Sequence, residues 1–69
     1  LIDGDTTQAI IRYKAILSLD STLVDIWLNL GVVHASSGRK NDARQAWLKG
    51  LEYDPDNTTL RDYLETLNK

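Results

Sequence analysis

Leu23-Val24-Asp25-Ile26-Trp27-Leu28-Asn29-Leu30-Gly31-Val32-Val33-His34-Ala35 is the stretch on which the fold turns. Trp27, Leu30, Gly31 and His34 follow the i, i+3, i+4, i+7 spacing of one helical face. Ile26 and Val33 are apolar on a second face, and Leu28, Val32 and Ala35 on a third. A helix that is apolar on nearly every side is normally buried on every side. This one is too short, and too interrupted by Asp25 and Asn29, to span a bilayer, which takes about 20 apolar residues. It therefore belongs at the centre of the molecule with partners on both flanks. Gly31 costs about 1 kcal/mol relative to alanine in a helix interior. That cost makes sense where a neighbouring helix must come close, and Ala43 offers a similarly small side chain on the next segment.

Working outward, punctuation falls at Asp3-Gly4-Asp5, Asp20-Ser21-Thr22, Ser37-Gly38 and Asp54-Pro55-Asp56-Asn57. The segments between have helical lengths and lack the strict alternation of strands. The pattern predicts helices at about 5–19, 22–36, 40–53 and 57–68. Asp5 or Thr6, Thr22, Asn41, and Asp56 or Asn57 are the expected N-caps, because their side-chain oxygens accept from unpaired backbone N–H groups. Pro55 lacks an amide hydrogen and moves Asp54 out of the α region, so the third helix must stop there. Connections of a few residues make successive helices antiparallel.

Composition narrows the classes. Sixty-nine residues, 42% hydrophobic and 26% charged, suit one folded unit whose core supplies about 3–5 kcal/mol. The absence of cysteine removes disulfides, thiolate metal sites and a cysteine nucleophile. A net charge of −2 argues against a nucleic-acid binder. No basic stretch precedes an apolar run, so no signal peptide is visible and a cytoplasmic setting is the expectation. With no methionine and a leucine at position 1, the chain reads as a piece of a longer protein.

Sliding the chain by 34 positions pairs Gly4 with Gly38, Ala9 with Ala43, Leu17 with Leu51, Asp20 with Asp54 and Leu30 with Leu64. Tyr13 meets Trp47, Ile26 meets Leu60 and Val33 meets Leu67. The matches fall on apolar and turn positions rather than on the surface. A period of that length with two helices per unit is the signature of a helical repeat. Trp27-x-x-Leu30-Gly31-x-x-His34, then Ala43-x-x-x-Trp47, then Pro55, resembles the tetratricopeptide repeat. Gly38 stands in the turn between the helices, and Leu51 continues the packing stripe. The resemblance implies an all-α, antiparallel helix-turn-helix array of four helices, a piece of a right-handed α-solenoid. It implies the second helix of a preceding unit at 1–23, a complete unit at 24–57, and a C-terminal capping helix or the first helix of a following unit at 58–69.

Departures from the family pattern carry information. His34 replaces the usual tyrosine and Gly50 the usual alanine. Ser21 stands in place of the proline that ends the first helix, so a looser junction is expected there. Arg61 and Glu65 replace the tryptophan and glycine of a further unit, while Leu60, Leu64 and Leu67 keep an apolar stripe, as a cap requires. The first helix is expected to expose Ala9, Ile10 and Tyr13, and with them a capacity for self-association.

Catalytic chemistry has little to stand on. His34 is the one histidine, it falls on the packed face, and Ser36 and Ser37 have no orienting acid spaced to complete a triad. Asp3-Gly4-Asp5 is too short for a calcium loop, and no phosphate-binding glycine run is present. Asn57-Thr58-Thr59 matches the glycosylation sequon, a three-residue pattern of low specificity. Arg39, Lys40, Arg44 and Lys49 make the third helix basic, with acids at Asp42, Glu52 and Asp54 diluting the field. No enzyme, cofactor or metal site is expected.

What the resemblance implies is a non-catalytic protein–protein interaction module, a scaffold or adaptor with a peptide-binding concave groove. Its lining would be Leu28, Val32 and Ala35, bordered by Asp25, Asn29, Ser36, Asp62 and Tyr63. The expected occupant is an apolar or amphipathic segment of a protein partner, with no nucleic acid and no membrane insertion. The alternative is a structural solenoid spacer or self-association module whose groove its own or another chain fills. Some family members clamp a terminal carboxylate with lysine, asparagine and arginine from successive repeats. Asn29 matches the middle position of that clamp, but Thr59 and Tyr63 stand where its last cations would be. Trp27→Ala should unfold the chain at ambient temperature, since losing a buried tryptophan costs about 3–5 kcal/mol, comparable to the whole stability of a core this size. Circular dichroism decides it, and a variant with full helicity and a sharp melt would remove Trp27 from the core.

Overall fold

Four helices follow one another with short turns between them in a computed structural model, which describes the backbone over residues 2–68 and side chains over 6–68. They are α1 (Ile2–Leu19), α2 (Val24–Ser36), α3 (Lys40–Tyr53) and α4 (Thr58–Leu67). Each packs on its neighbour in sequence, with the α2–α3 interface the most extensive. The result is a slab of 35 × 32 × 15 Å.

The turns show why the helices end where they do. Gly38 has φ +79°, the left-handed region that L side chains avoid. With it the Arg39 N–H reaches the His34 carbonyl at 2.9 Å and the Gly38 N–H reaches Ala35 O at 3.1 Å, the paired bonds of a Schellman stop. Asp54 leaves the helix at φ −141°, as Pro55 requires. Asn57 caps α4, its Oδ1 accepting from the Leu60 N–H at 2.9 Å. Arg61 then donates through Nε and Nη2 to the Pro55 carbonyl at 3.0 and 2.7 Å, clasping the turn to the helix it precedes.

Three expected caps are corrected. The helix preceding Asp20 already runs from Ile2, so Asp3-Gly4-Asp5 lies inside α1 rather than in a turn. Gly4 falls in the first turn of α1, and one helical glycine costs about 1 kcal/mol, too little by itself to keep the helix from starting there. The Asp5 side chain lies outside the described residues. Thr22 does not cap α2, whose N-cap is Leu23 with no side-chain bond. Thr22 turns back instead, its N–H and hydroxyl both donating to Asp20 Oδ1 at 3.0 and 2.6 Å. Asn41 is already inside α3, where its Oδ1 accepts from Arg44 Nη1 at 3.0 Å.

The Asp20–Thr22 junction is also tied more firmly than the loss of proline suggests. Trp27 Nε1 donates to the Ser21 carbonyl at 2.7 Å, and the Ser21 and Tyr53 hydroxyls pair at 3.1 Å. Side-chain bonds here do the work that a rigid residue does elsewhere. The Thr22 hydroxyl and N–H hold the Asp20 carboxyl below its ordinary range.

Packing divides into two clusters that α2 joins. Ile10 and Leu17 of α1, Leu30 of α2 and Ala46 of α3 form the first, with Tyr13, Ile26, Trp27 and Val33 against them. Ala43 and Trp47 of α3 and Leu60 of α4 form the second, flanked by Val24, Leu28, Ala35, Leu51, Leu64 and Leu67. The all-round apolarity of α2 is explained by this double duty. Trp47 is 4% exposed and lies in the second cluster, whereas Trp27 packs against the first. Trp27 is only half-buried, which corrects the expectation of a fully buried tryptophan: Trp27→Ala should cost less than the full-burial figure and weaken the fold rather than abolish it. Ile10 is buried at 9% rather than exposed; among the described residues Ile11, Ile16 and Leu19 are the large exposed hydrophobics of α1.

Gly31 explains where Trp47 goes. A Cβ at that position would fall on the indole, at Nε1 and Cδ1. The vacancy lets the ring lie against the backbone of α2 and donate from Nε1 to the Leu28 carbonyl at 3.0 Å. Gly50 has a related role, since a Cβ there would meet Leu60 Cδ1 at 2.8 Å, and the fully buried Leu60 fills the space that alanine takes in the usual pattern. Gly31→Ala should therefore displace Trp47 and abolish cooperative unfolding in urea. Gly38→Ala, strained only in its backbone, should cost about 1–2 kcal/mol and keep the cooperative transition. A Gly31→Ala protein as stable as the parent would show that the indole does not need that space.

Candidate functional site

Asp25, Asn29, Val32 and Ser36 are spaced by four, three and four along α2, and all are exposed. They form one stripe on the side of α2 turned away from the α1 cluster. Leu28 and Ala35 border it, but they are half-buried and pack against the Ala43–Trp47–Leu60 cluster. They are thus not left over after the core is built, as the sequence suggests; they belong to it at its edge. Val32, 37% exposed, is the apolar member of the stripe with free surface.

The α4 side adds Asp62, exposed, and Tyr63, 38% exposed. Tyr63 lays its ring against Trp47 with centroids 5.2 Å apart and planes tilted by 40°, a favourable aromatic geometry. Trp47 is in turn bonded to the Leu28 carbonyl. One indole therefore positions both the α2 and the α4 contributions to this face.

Other candidate groups are committed elsewhere. Asn57, the sequon asparagine, gives its Oδ1 to the α4 cap and its Nδ2 to Asp54 Oδ2 at 3.2 Å. The Ser37 hydroxyl donates to the Val33 carbonyl at 2.9 Å. Arg44 reaches Asn41 and, at 3.5 Å, Asn68 Oδ1. Among the described residues no group of three metal-ligating side chains comes together, and no helix is long and apolar enough to cross a membrane.

Sequence reasoning missed a second concavity, a cleft between α1 and α3 with α2 as its floor. Trp27, Leu30, Lys14 and Lys49 run along its whole length. Its α3 members are visible in the sequence as a basic helix, but nothing in the one-dimensional pattern places Lys14 opposite them.

Residues 24–57 match the model of the family described as tetratricopeptide repeat. The chain carries one repeat of that family, α2 and α3, with a further helix on either side. Repeats of this family generally mediate protein–protein interactions. No curated protein matches the chain.

His34 stands on the packed face of α2, 6% exposed, and its Nδ1 is buried without a hydrogen-bond partner among the described residues. Burial lowers its pKa from 6.5; Asp42 opposes that shift, and Lys14 and Arg39 add to it. A depressed folded-state value means that the unfolded chain binds the proton more readily. The contribution of neutral His34 to stability is then complete above pH 6.5 and is lost as pH falls through the depressed value. Urea midpoints should drop between neutral and mildly acidic pH, and His34→Tyr should flatten that dependence. An unchanged slope in the variant would assign it to the carboxylates.

Proposed function

We propose that the chain binds an extended or helical segment of a partner protein along the α2–α4 face, and that this segment is apolar or amphipathic. The observation that supports the reading best is the pair Val32 and Tyr63, each more than a third exposed on a face whose other free residues are short and polar. Leu28 and Ala35 supply an apolar floor held still by its own packing. A floor that does not move on binding lowers the ordering cost that a partner must overcome.

Polarity sets the preference. Asn29 and Tyr63 can donate to the backbone of a bound segment, while Asp25 and Asp62 disfavour acidic residues in it. The clamp chemistry of a terminal carboxylate does not suit this face, because Thr59 and Tyr63 stand where the clamp's last cations would offset the desolvation of the anion.

Val32→Ser is the clean test, as Val32 is exposed and its loss leaves the core intact. Removing its contact should weaken an amphipathic partner peptide roughly tenfold, the size expected for one buried aliphatic side chain. Binding followed by Tyr63 resonances should persist at high salt. Leu28→Ser should lower both affinity and stability, because Leu28 also packs on the Trp47 cluster. An acidic tail that bound tightly, and that salt released, would overturn this reading.

A further inference from the structure

The cleft between α1 and α3 lies away from the α2–α4 face and has its own chemistry. It is an open groove of about 330 Å³ at its His34 end, within the volume range of ligand pockets, roughly 300–1,000 Å³. Its floor is Trp27, half-buried and therefore partly available, beside the buried Leu30. Lys14 of α1 and Lys49 of α3 line both of its ends. Arg39 adds a third cation, and Asp42 is the single acid. A chain whose net charge is −2 thus gathers a local excess of positive charge around an apolar floor.

Two further observations agree. Lys49 has a partner in Glu52 at 3.5 Å, but both are about half-exposed, and a pair screened by water exchanges readily for a better one. His34, whose buried Nδ1 has no hydrogen-bond partner among the described residues, lines the same cleft.

We propose that the α1–α3 cleft docks an acidic segment of a partner protein, with an apolar side chain laid on Trp27 and carboxylates set against Lys14 and Lys49. A peptide suits the site better than a nucleic acid. The field is local and ends within the cleft, whereas a polyanion needs cations tracking its backbone and a series of stacking rings. The overall negative charge repels a long polyanion while leaving a short acidic segment to feel the cleft. This site is independent of the α2–α4 face and uses none of its residues.

The two indole N–H groups separate the sites. Trp27 lines the cleft, and Trp47 sits beneath the other face. The chain, labelled with nitrogen-15, is titrated with a blocked peptide of sequence Glu-Asp-Leu-Glu-Asp-Leu-Glu. The Trp27 indole signal should move, the Trp47 signal should not, and added salt should weaken binding. The exposed pair Lys14→Glu with Lys49→Glu should lower affinity at least about tenfold, with Lys14→Gln and Lys49→Gln as milder variants whose fold is checked by circular dichroism. Val32→Ser should change nothing, so loss of the other face leaves this result standing. Four outcomes overturn the proposal. They are an equal Trp27 shift from the uncharged Gln-Asn-Leu-Gln-Asn-Leu-Gln peptide, peptide shifts centred on Asn29 and Val32, tighter binding of a single-stranded oligonucleotide, or dimerisation of the chain through the same lysines.

Discussion

The contact on which the rest of the structure depends is the Trp47 indole lying on Gly31. A backbone without a side chain lets a large flat ring approach α2 closely enough to donate to the Leu28 carbonyl. The bond satisfies an indole N–H that would be costly to bury alone. The same ring meets Tyr63 from α4 on another side. Three helices are thus oriented by one side chain. Leu60, fully buried against Gly50, continues the arrangement along α3. A repeat unit this small has little area to spare, so concentrating contacts on one aromatic is an efficient use of it.

The slab has two faces of different character, and both follow from α2 being shared. Its residues are claimed alternately by the α1 cluster and the α4 cluster. What remains exposed on the α4 side is a polar stripe with Val32 in it and acids at Asp25 and Asp62. On the opposite side α1 and α3 stand over α2 as two walls, and their outward lysines turn the gap between them positive. The two proposed sites, an acidic, partly apolar face and a basic cleft, share no side chains and suit partners of different composition. Neither need compete with the other for side chains.

Much of this was legible in the order of residues. The all-α architecture, the turns at Gly38 and Pro55 and the cap at Asn57 depend on interactions within a few positions. Such interactions are written locally: a left-handed residue, a missing N–H, a short side chain with an oxygen. The caps that failed, at Thr22 and Asn41, are equally local but had competitors. Thr22 found Asp20 first and Asn41 found Arg44, and sequence patterns do not rank such choices. The candidate face was legible as a stripe on α2, but its division into free and packed members was not.

That division is what the tertiary structure alone decided. Periodicity says which residues share a side of a helix, not how deep each sits once a neighbour arrives. Leu28 and Ala35 became floor rather than surface because α4 and Trp47 cover their flanks. Trp47 rather than Trp27 became the buried tryptophan because the space above Gly31 faces α3 and not α1. Lys14 joined Lys49 because two helices distant in sequence flank the same third helix. By itself the sequence determined the helices, their C-terminal stops and the repeat, since each rests on neighbours along the chain. Depth, pairing across helices and local charge excess are sums over elements brought together by folding, and they exist only in three dimensions.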